Sequence, residues 1–264
     1  MKNSLILIIC ILASIFLIYQ GYSYIFKNRE TMQSFSKSPL SNGLKQNMIK
    51  QNIWSSNCPV PLERLNLLKV SYIDFEGIEH HDGLLVVHDV VADYVIAIFR
   101  RLYENKFPIA NVNLINDYNG DDDKSMKDNN SSAFNCRNIL NSNDLSIHSY
   151  GLAIDINPVQ NPYLVGNYEY GKANLAVYPA LGIEYINRRN IRAGMVESIV
   201  TANGENVIDI FSKYGFTVWG GDWNTPIDWH HFQVTREQAQ IIAKLPYLEG
   251  VDFFNSLVKE KISN

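Results

Sequence analysis

Cysteine is scarce in this chain of 264 residues: Cys10, Cys58 and Cys136 are the only three. Cys10 lies in an apolar N-terminal run and follows Ile9 rather than a small residue, which argues against a lipoprotein cleavage box. That leaves Cys58 and Cys136 as an even pair. They form either one disulfide, closing a long loop worth about 4 kcal/mol in the chain-entropy account, or two buried thiols. No run of Lys and Arg builds a basic patch, and the formal net charge is -4, so the footprint of a nucleic-acid binder is missing. There is no internal repeat and no regular alternation of strand and helix patterns. This sets aside a doubly wound sheet and points to an α+β fold. A calcium loop lacks its key parts: Asp117, Asn119 and Asp121 imitate its start, but Asp122 stands where glycine is required and the closing Glu is absent.

What is present is first an ordinary globular composition, 46% hydrophobic and 19% charged. The N-terminus departs from it. After Lys2, the stretch Leu5 to Tyr19 is apolar, and no charge follows until Lys27. Residues 1–26 read as a signal peptide or as a retained transmembrane anchor, an apolar helix in either case. Both readings mark export to the cell envelope, the second with the membrane as a partner. Residues 27–55, rich in Ser, Asn, Lys and Gln, read as a flexible tether. The folded domain is then expected over 56–264. Nothing in the chain sets an oligomeric state, and a monomer is assumed.

Within that domain, Leu65 to Phe75 and Leu84 to His88 have the pattern of strands separated by the turn-like GIEHHDG. Ala92 to Tyr103 has apolar residues at helical spacing, with Asp89 as a possible cap. Ala110 to Ile115 suggests a further strand, and Asp117 to Ser132 a polar, acidic loop. Val207 to Tyr214 reads as a helix stopped by Gly215. Phe216 to Trp219 and Trp229 to Val234 read as short strands around GGDWNTP, and Arg236 to Lys244 as a closing helix.

Two segments carry the chemistry: SIHSYGLAIDINP (Ser146 to Pro158) and WGGDWNTPIDWHHF (Trp219 to Phe232). In an extended LAID stretch, Asp155 points away from Leu152's side of the chain and can turn towards His148 on the preceding loop. Gly151 and Ala153 leave room for a close backbone or substrate approach. In the second segment Asp228 and His231 are three apart. A regular strand would put Asp228 and His230 on one face and His231 on the other. Spacing alone does not choose between the two histidines. Two imidazoles and a carboxylate can hold a zinc ion with an open fourth position, and a second carboxylate is left over.

SIHSYGLAID resembles the S-x-H-x-x-G-x-A-x-D signature of the zinc D-Ala-D-Ala metallopeptidases. That group includes vancomycin-resistance D,D-peptidases and the L-alanyl-D-glutamate peptidases of phage endolysins and sporulating bacteria. WGGDW followed by D-x-x-H-F is most similar to the endolysin-type branch. The resemblance, over roughly Cys58 to Val234, implies zinc held by His148, Asp155 and His231, with Asp228 as catalytic base. It implies that Arg137 faces the developing oxyanion or a substrate carboxylate. Ser146 and Tyr150 are taken, on position alone, as peptide-binding residues. The implied fold is α+β, a small antiparallel sheet flanked by helices, shared with the hedgehog signalling domain. The chain departs from the pattern at Gln233, where the branch often has Glu, and in a longer Asn161 to Arg192.

The leading expectation is therefore an exported zinc peptidase whose partner is a peptidoglycan stem peptide. L-alanyl-D-glutamate endopeptidase activity is favoured, with removal of a terminal D-Ala as the alternative. A zinc-stabilised wall-binding module is a reading of another class, and it would have no use for Asp228 and Arg137. Trp219, Trp223 and Trp229 are expected to wall the cleft or fill the core.

Overall fold

A three-stranded antiparallel sheet forms the frame, in the order β1 (Ser36–Pro39), β2 (Leu65–Ile73), β3 (Glu79–His88). The computed structural model describes residue 19 and residues 35–140, 142–166 and 175–263. Apart from Tyr19, the N-terminal apolar run lies outside the described residues, as do residues 27–34. No helix among the described residues is long and apolar enough to cross a membrane.

Leu68 and Val70 of β2 and Leu85 and Val87 of β3 are buried. They pack under α2 (Ala92–Glu104), which inserts Val95, Ile98, Phe99 and Leu102 at helical spacing into the same core. Each such side chain contributes about 1.5–3 kcal/mol on leaving water. The expected turn GIEHHDG is largely strand, because β3 starts at Glu79 and pairs it with Ile73. Asp89 does not cap α2. Its carboxylate instead takes Arg64 Nε at 2.7 Å and Nη2 at 3.0 Å, while Arg64 Nη1 donates to the Leu245 carbonyl. That pair ties the start of β2 to the chain just before α6 (Tyr247–Ser263).

Residues 35–55 are folded, where a flexible tether over 27–55 was the expectation. Ser41 caps α1 (Asn42–Lys50) by accepting from the Leu44 amide. Leu40, Met48 and Ile53 are buried against Val60, Leu62 and Phe134 in a second apolar cluster. A few well-spaced apolar side chains in a polar stretch are enough to dock it. Cys58 and Cys136 form a disulfide with Cα atoms 6.0 Å apart, so the bridged reading of the pair is the one realised.

The acidic stretch is also ordered. Asp121 caps the short helix α3 (Asp122–Lys127) by accepting from the Lys124 amide. The buried Asn130 amide bonds the Asn113 carbonyl and Ser125 Oγ. Ala110 to Ile115 makes one isolated bridge, Asn111 with Asn130, instead of a strand. The helix α4 (Val207–Lys213) and the capped α5 (Arg236–Ile242) stand where the pattern put them. The long α6 was not expected, although Val251, Phe254 and Val258 recur at helical spacing and pack on the main core.

Two further three-stranded antiparallel sheets carry the site. One has the order β4 (Ala153–Asp155), β9 (His231–Gln233), β7 (Val218–Trp219). The other has the order β6 (Ala176–Tyr178), β5 (Tyr163–Val165), β8 (Ile227–Asp228). The architecture is thus α+β as expected, with several small antiparallel sheets instead of a single one.

Met48 gives a direct test of the corrected boundary. Met48→Ala should cost about 2–5 kcal/mol in denaturant unfolding, and an unchanged midpoint would return residues 42–50 to a loosely attached tether. Thiol titration of denatured, unreduced protein should find neither Cys58 nor Cys136 reactive.

Candidate metal centre and cleft

β4 and β9 pair with Asp155 opposite His231, Ile154 opposite Phe232 and Ala153 opposite Gln233. Ile154 and Phe232 are fully buried on the core face, where Phe232 stacks on Phe211 with ring centroids 4.1 Å apart. Period-two alternation therefore turns Asp155, His231 and Gln233 to the other face. His148 comes from the 3-10 turn Ile147–Tyr150, which Ser146 caps by accepting from the His148 amide at 3.3 Å. Gly151 closes that turn with φ +67, and a Cβ there would lie 2.6 Å from the His88 backbone nitrogen. The close approach that requires glycine is thus to β3, not to a ligand.

One ligand atom each from His148, Asp155 and His231 lie within 4.8 Å of one another, all three residues buried. His148 Nε2 is 3.1 Å from His231 Nδ1 and 3.2 Å from Asp155 Oδ2. His231 Nδ1 is 3.0 Å from Asp155 Oδ1. The outer nitrogens fix the tautomers. His148 Nδ1 is 2.5 Å from the Ala133 carbonyl, and His231 Nε2 is 2.7 Å from Gln233 Oε1, so each N–H points outward to an acceptor. The inner nitrogens are then lone-pair donors facing a carboxylate, the arrangement a cation requires.

The electrostatics agree. Burial works against the Asp155 charge, yet His148 and His230 hold its carboxyl well below the usual range. Burial would depress the His231 imidazolium, but Asp155 and then Asp228 raise it above its ordinary value. The cluster is short of positive charge, and in the free protein protons serve where a metal ion could.

Asp228 belongs to the other sheet. It sits on β8 opposite Tyr163 of β5, and Tyr163 is in turn opposite Tyr178 of β6. Asp228, Tyr163 and Tyr178 thus form a row along one wall of a cleft of about 770 Å³, which His148, Asp155, His230 and His231 also line. Gly220 is pressed against this strand: a Cβ on it would lie 2.5 Å from the Asp228 carbonyl oxygen. Asp228 Oδ1 is buried and has no hydrogen-bond partner among the described residues. Its nearest charge is His230 Nε2, at 2.9 Å as an ion pair, not aligned as a hydrogen bond.

The alternation that would part His231 from Asp228 and His230 needs a continuous strand, and the chain does not supply one. It turns at Trp229 and His230, between β8 and β9, so alternation restarts and Asp228, His230 and His231 all line the cleft. His230 had been weighed only as a competing ligand. Its Nδ1 instead donates to the Asn161 carbonyl at 2.8 Å. Burial disfavours its charge, but Asp228 and Asp155 outweigh burial and raise its pKa to about 10.

Arg137 reaches the same cleft, its backbone held by Ser149 and Ser146. Its Nη2 donates to Asp122 at 2.5 Å, and its Nε is buried with no hydrogen-bond partner among the described residues. Asp122, which the calcium comparison treated only as a misfit, is therefore a cleft residue. Ser146 lines the cleft too. Tyr150 does not: its side chain packs into the main core, which overrides its assignment to peptide binding. Trp223 lines the cleft with its ring 5.5 Å from that of His231. Trp229 is buried under the Arg188 guanidinium, and Trp219 Nε1 donates to its carbonyl.

A family model described as D-alanyl-D-alanine carboxypeptidase matches residues 140–234. The match takes in His148, Asp155, Asp228 and His231, and stops just short of Arg137. It covers a little over a third of the chain, so it is this segment that is similar to a peptidase family. No curated protein and no solved structure matches the chain.

The tautomer argument predicts that metal binding depends on Gln233. Equilibrium dialysis should find one divalent ion per wild-type chain and none after Asp155→Ala or His231→Ala. Gln233→Leu should weaken binding about 10–100-fold; an unchanged affinity would mean that Gln233 does not orient the ligand ring.

Proposed function

We propose that the chain is a zinc peptidase that hydrolyses peptidoglycan stem peptides, with zinc held by His148 Nε2, Asp155 and His231 Nδ1. The observation that carries this reading is the convergence of those three lone-pair groups beside a fourth group, Asp228, that is not needed as a ligand. The peptidase-family match over residues 140–234 supports the substrate class. When bound there, zinc supplies Lewis acidity that makes a water acidic near neutrality and polarises the scissile carbonyl.

The protein's own residues account for the rest. Asp228 Oδ1, buried on the cleft wall with the His230 ring 2.9 Å away, is suited to take the proton of the attacking water. It then returns that proton to the leaving amine, so the new C–O bond and the broken C–N bond balance. Arg137 presents a guanidinium to the carbonyl oxygen or to a substrate carboxylate. The Tyr163–Tyr178 row and Trp223 supply apolar walls with polar edges for a short peptide.

Cleavage between L-Ala and D-Glu is the favoured bond. The cleft is roomy, about 770 Å³, and Asp121, Asp122, Arg137, Tyr163 and Tyr178 line it beyond the cluster itself, which suits a stretch of peptide longer than one terminal residue. Removal of a terminal D-Ala is the second reading, favoured by the description of the matching family and by a guanidinium able to receive a terminal carboxylate. Export through residues 1–26, as a leader or an anchor, would bring the domain to its substrate.

Purified protein should release a stem fragment from wall muropeptides, read by mass. Loss of a single D-Ala instead would select the carboxypeptidase reading. Chelation should abolish the activity and zinc restore it. Asp228→Ala should lower kcat by about 10²–10⁴-fold with the metal retained. Full activity in that variant would remove Asp228 from its role.

A further inference from the structure

His230 is conspicuous because it lies beside the metal ligands and binds as none of them does. It is buried, at 3% exposure. Its Nδ1 faces the Asn161 carbonyl, which can only accept, so Nδ1 carries a proton. Its Nε2 faces two carboxylates and no donor: Asp228 Oδ1 at 2.9 Å and Asp155 Oδ2 at 3.8 Å. With one ring nitrogen tied to a main-chain carbonyl and the other set between two carboxylates, the ring sits outside the trio of His148, Asp155 and His231.

The anchor behind it is stiff. The Asn161 side chain is fully buried, donating to the carbonyls of Ile156 and Gly194 and accepting from the Val196 amide and Arg188 Nη2. Arg188 also lies over the Trp229 ring, 4.5 Å from its centre, and is ion-paired with Glu197. The ring of His230 is thus held from a segment whose described residues, 161–166 and 175–197, add nothing to the trio of His148, Asp155 and His231.

We propose that His230 is a positioning residue that stands between the two carboxylates, holding Asp228 beside the centre as a free base and preventing it from joining Asp155 as a fourth ligand. The proposal rests on the peptidase reading for its consequence in catalysis, but not for the contact itself. It assigns the first histidine of DWHHF a task distinct from that of His231, and it gives the long 161–197 segment a part in that task, through Asn161.

Two variants separate this from a merely structural role. Asparagine at position 230 keeps a donor near the Nδ1 position for Asn161 but cannot reach Asp228, whereas glutamine reaches towards the Nε2 position. In the full chain, His230→Asn should lower kcat about 10–100-fold, with KM within about twofold and one zinc retained, and His230→Gln should recover most of the loss. Unchanged kcat in His230→Asn, or loss of its zinc, overturns the proposal.

The contact is tested without substrate by thermal unfolding of His230→Asn, Asp228→Asn and the double variant. The double variant's fall in Tm should be smaller than the sum of the single falls; strict additivity overturns the proposal. With cadmium-113 in the site, scalar coupling should appear to His148 and His231 only, and coupling to His230 would make it a ligand. A wild-type protein inactive on every wall peptide would sink the peptidase reading, while the unfolding cycle would still decide whether His230 holds Asp228.

Discussion

Two imidazole lone pairs and a carboxylate share one buried point, and the arrangement is repulsive unless positive charge is supplied. Most of the surrounding structure can be traced to that constraint. The Ala133 carbonyl and Gln233 each take an outer N–H and so keep both inner nitrogens unprotonated when a metal is bound. The β4–β9 register puts Asp155 directly across from His231, while Ile154 and Phe232 anchor the same strands in the core. Because side-chain direction has period two, a slip of one residue in either strand would turn its member of the cluster into the hydrophobic side. The Phe211–Phe232 stack is therefore as much a part of the centre as the ligands are.

The second constraint is the corner at Trp229 and His230. A single strand through DWHHF would have to divide its polar residues between two faces. Splitting it into β8 and β9, each in a different sheet, lets a carboxylate and two histidines within four residues line one cleft. Gly220 allows the WGG segment to lie against the Asp228 backbone, closer than any side chain would permit. The small sheets are short for the same reason. Each lasts only as long as its residues are needed on one side.

Much of this was legible in advance, and the failures have particular causes. The convergence of His148, Asp155 and His231 was readable because their neighbours form a specific pattern, and α2 because its apolar residues keep helical spacing. The choice between His230 and His231 was not readable from spacing, since alternation was counted through a corner that only the pairing of β8 with β5 reveals. The folding of residues 35–55 was hidden by polar composition, because Phe35, Leu40, Met48 and Ile53 act singly across long intervals. Tyr150 follows its neighbours in sequence into the site region, but a four-residue turn sends His148 and Tyr150 to different sides. Asp122 and Asn161 gave no local signal at all. Their roles depend on Arg137 and His230, which are far away along the chain.

The distinction between an enzyme and a metal-stabilised binding module turns on groups that the metal does not need. A structural centre is complete with its ligands and their outer hydrogen bonds. Here a carboxylate oxygen of Asp228 and the Nε of Arg137 are both buried without hydrogen-bond partners among the described residues. A buried donor without an acceptor, as at Arg137 Nε, costs about 1–3 kcal/mol, and Leu at that position would remove it. Both groups lie on the cleft that also holds the ligands, one as an acceptor and one as a donor. A carboxylate and a guanidinium on one cleft are what a reacting amide would use, since its attacking water must lose a proton and its oxygen must gain stabilisation. A module that only grips a peptide has no reason to keep that strain, and this asymmetry favours catalysis over binding alone.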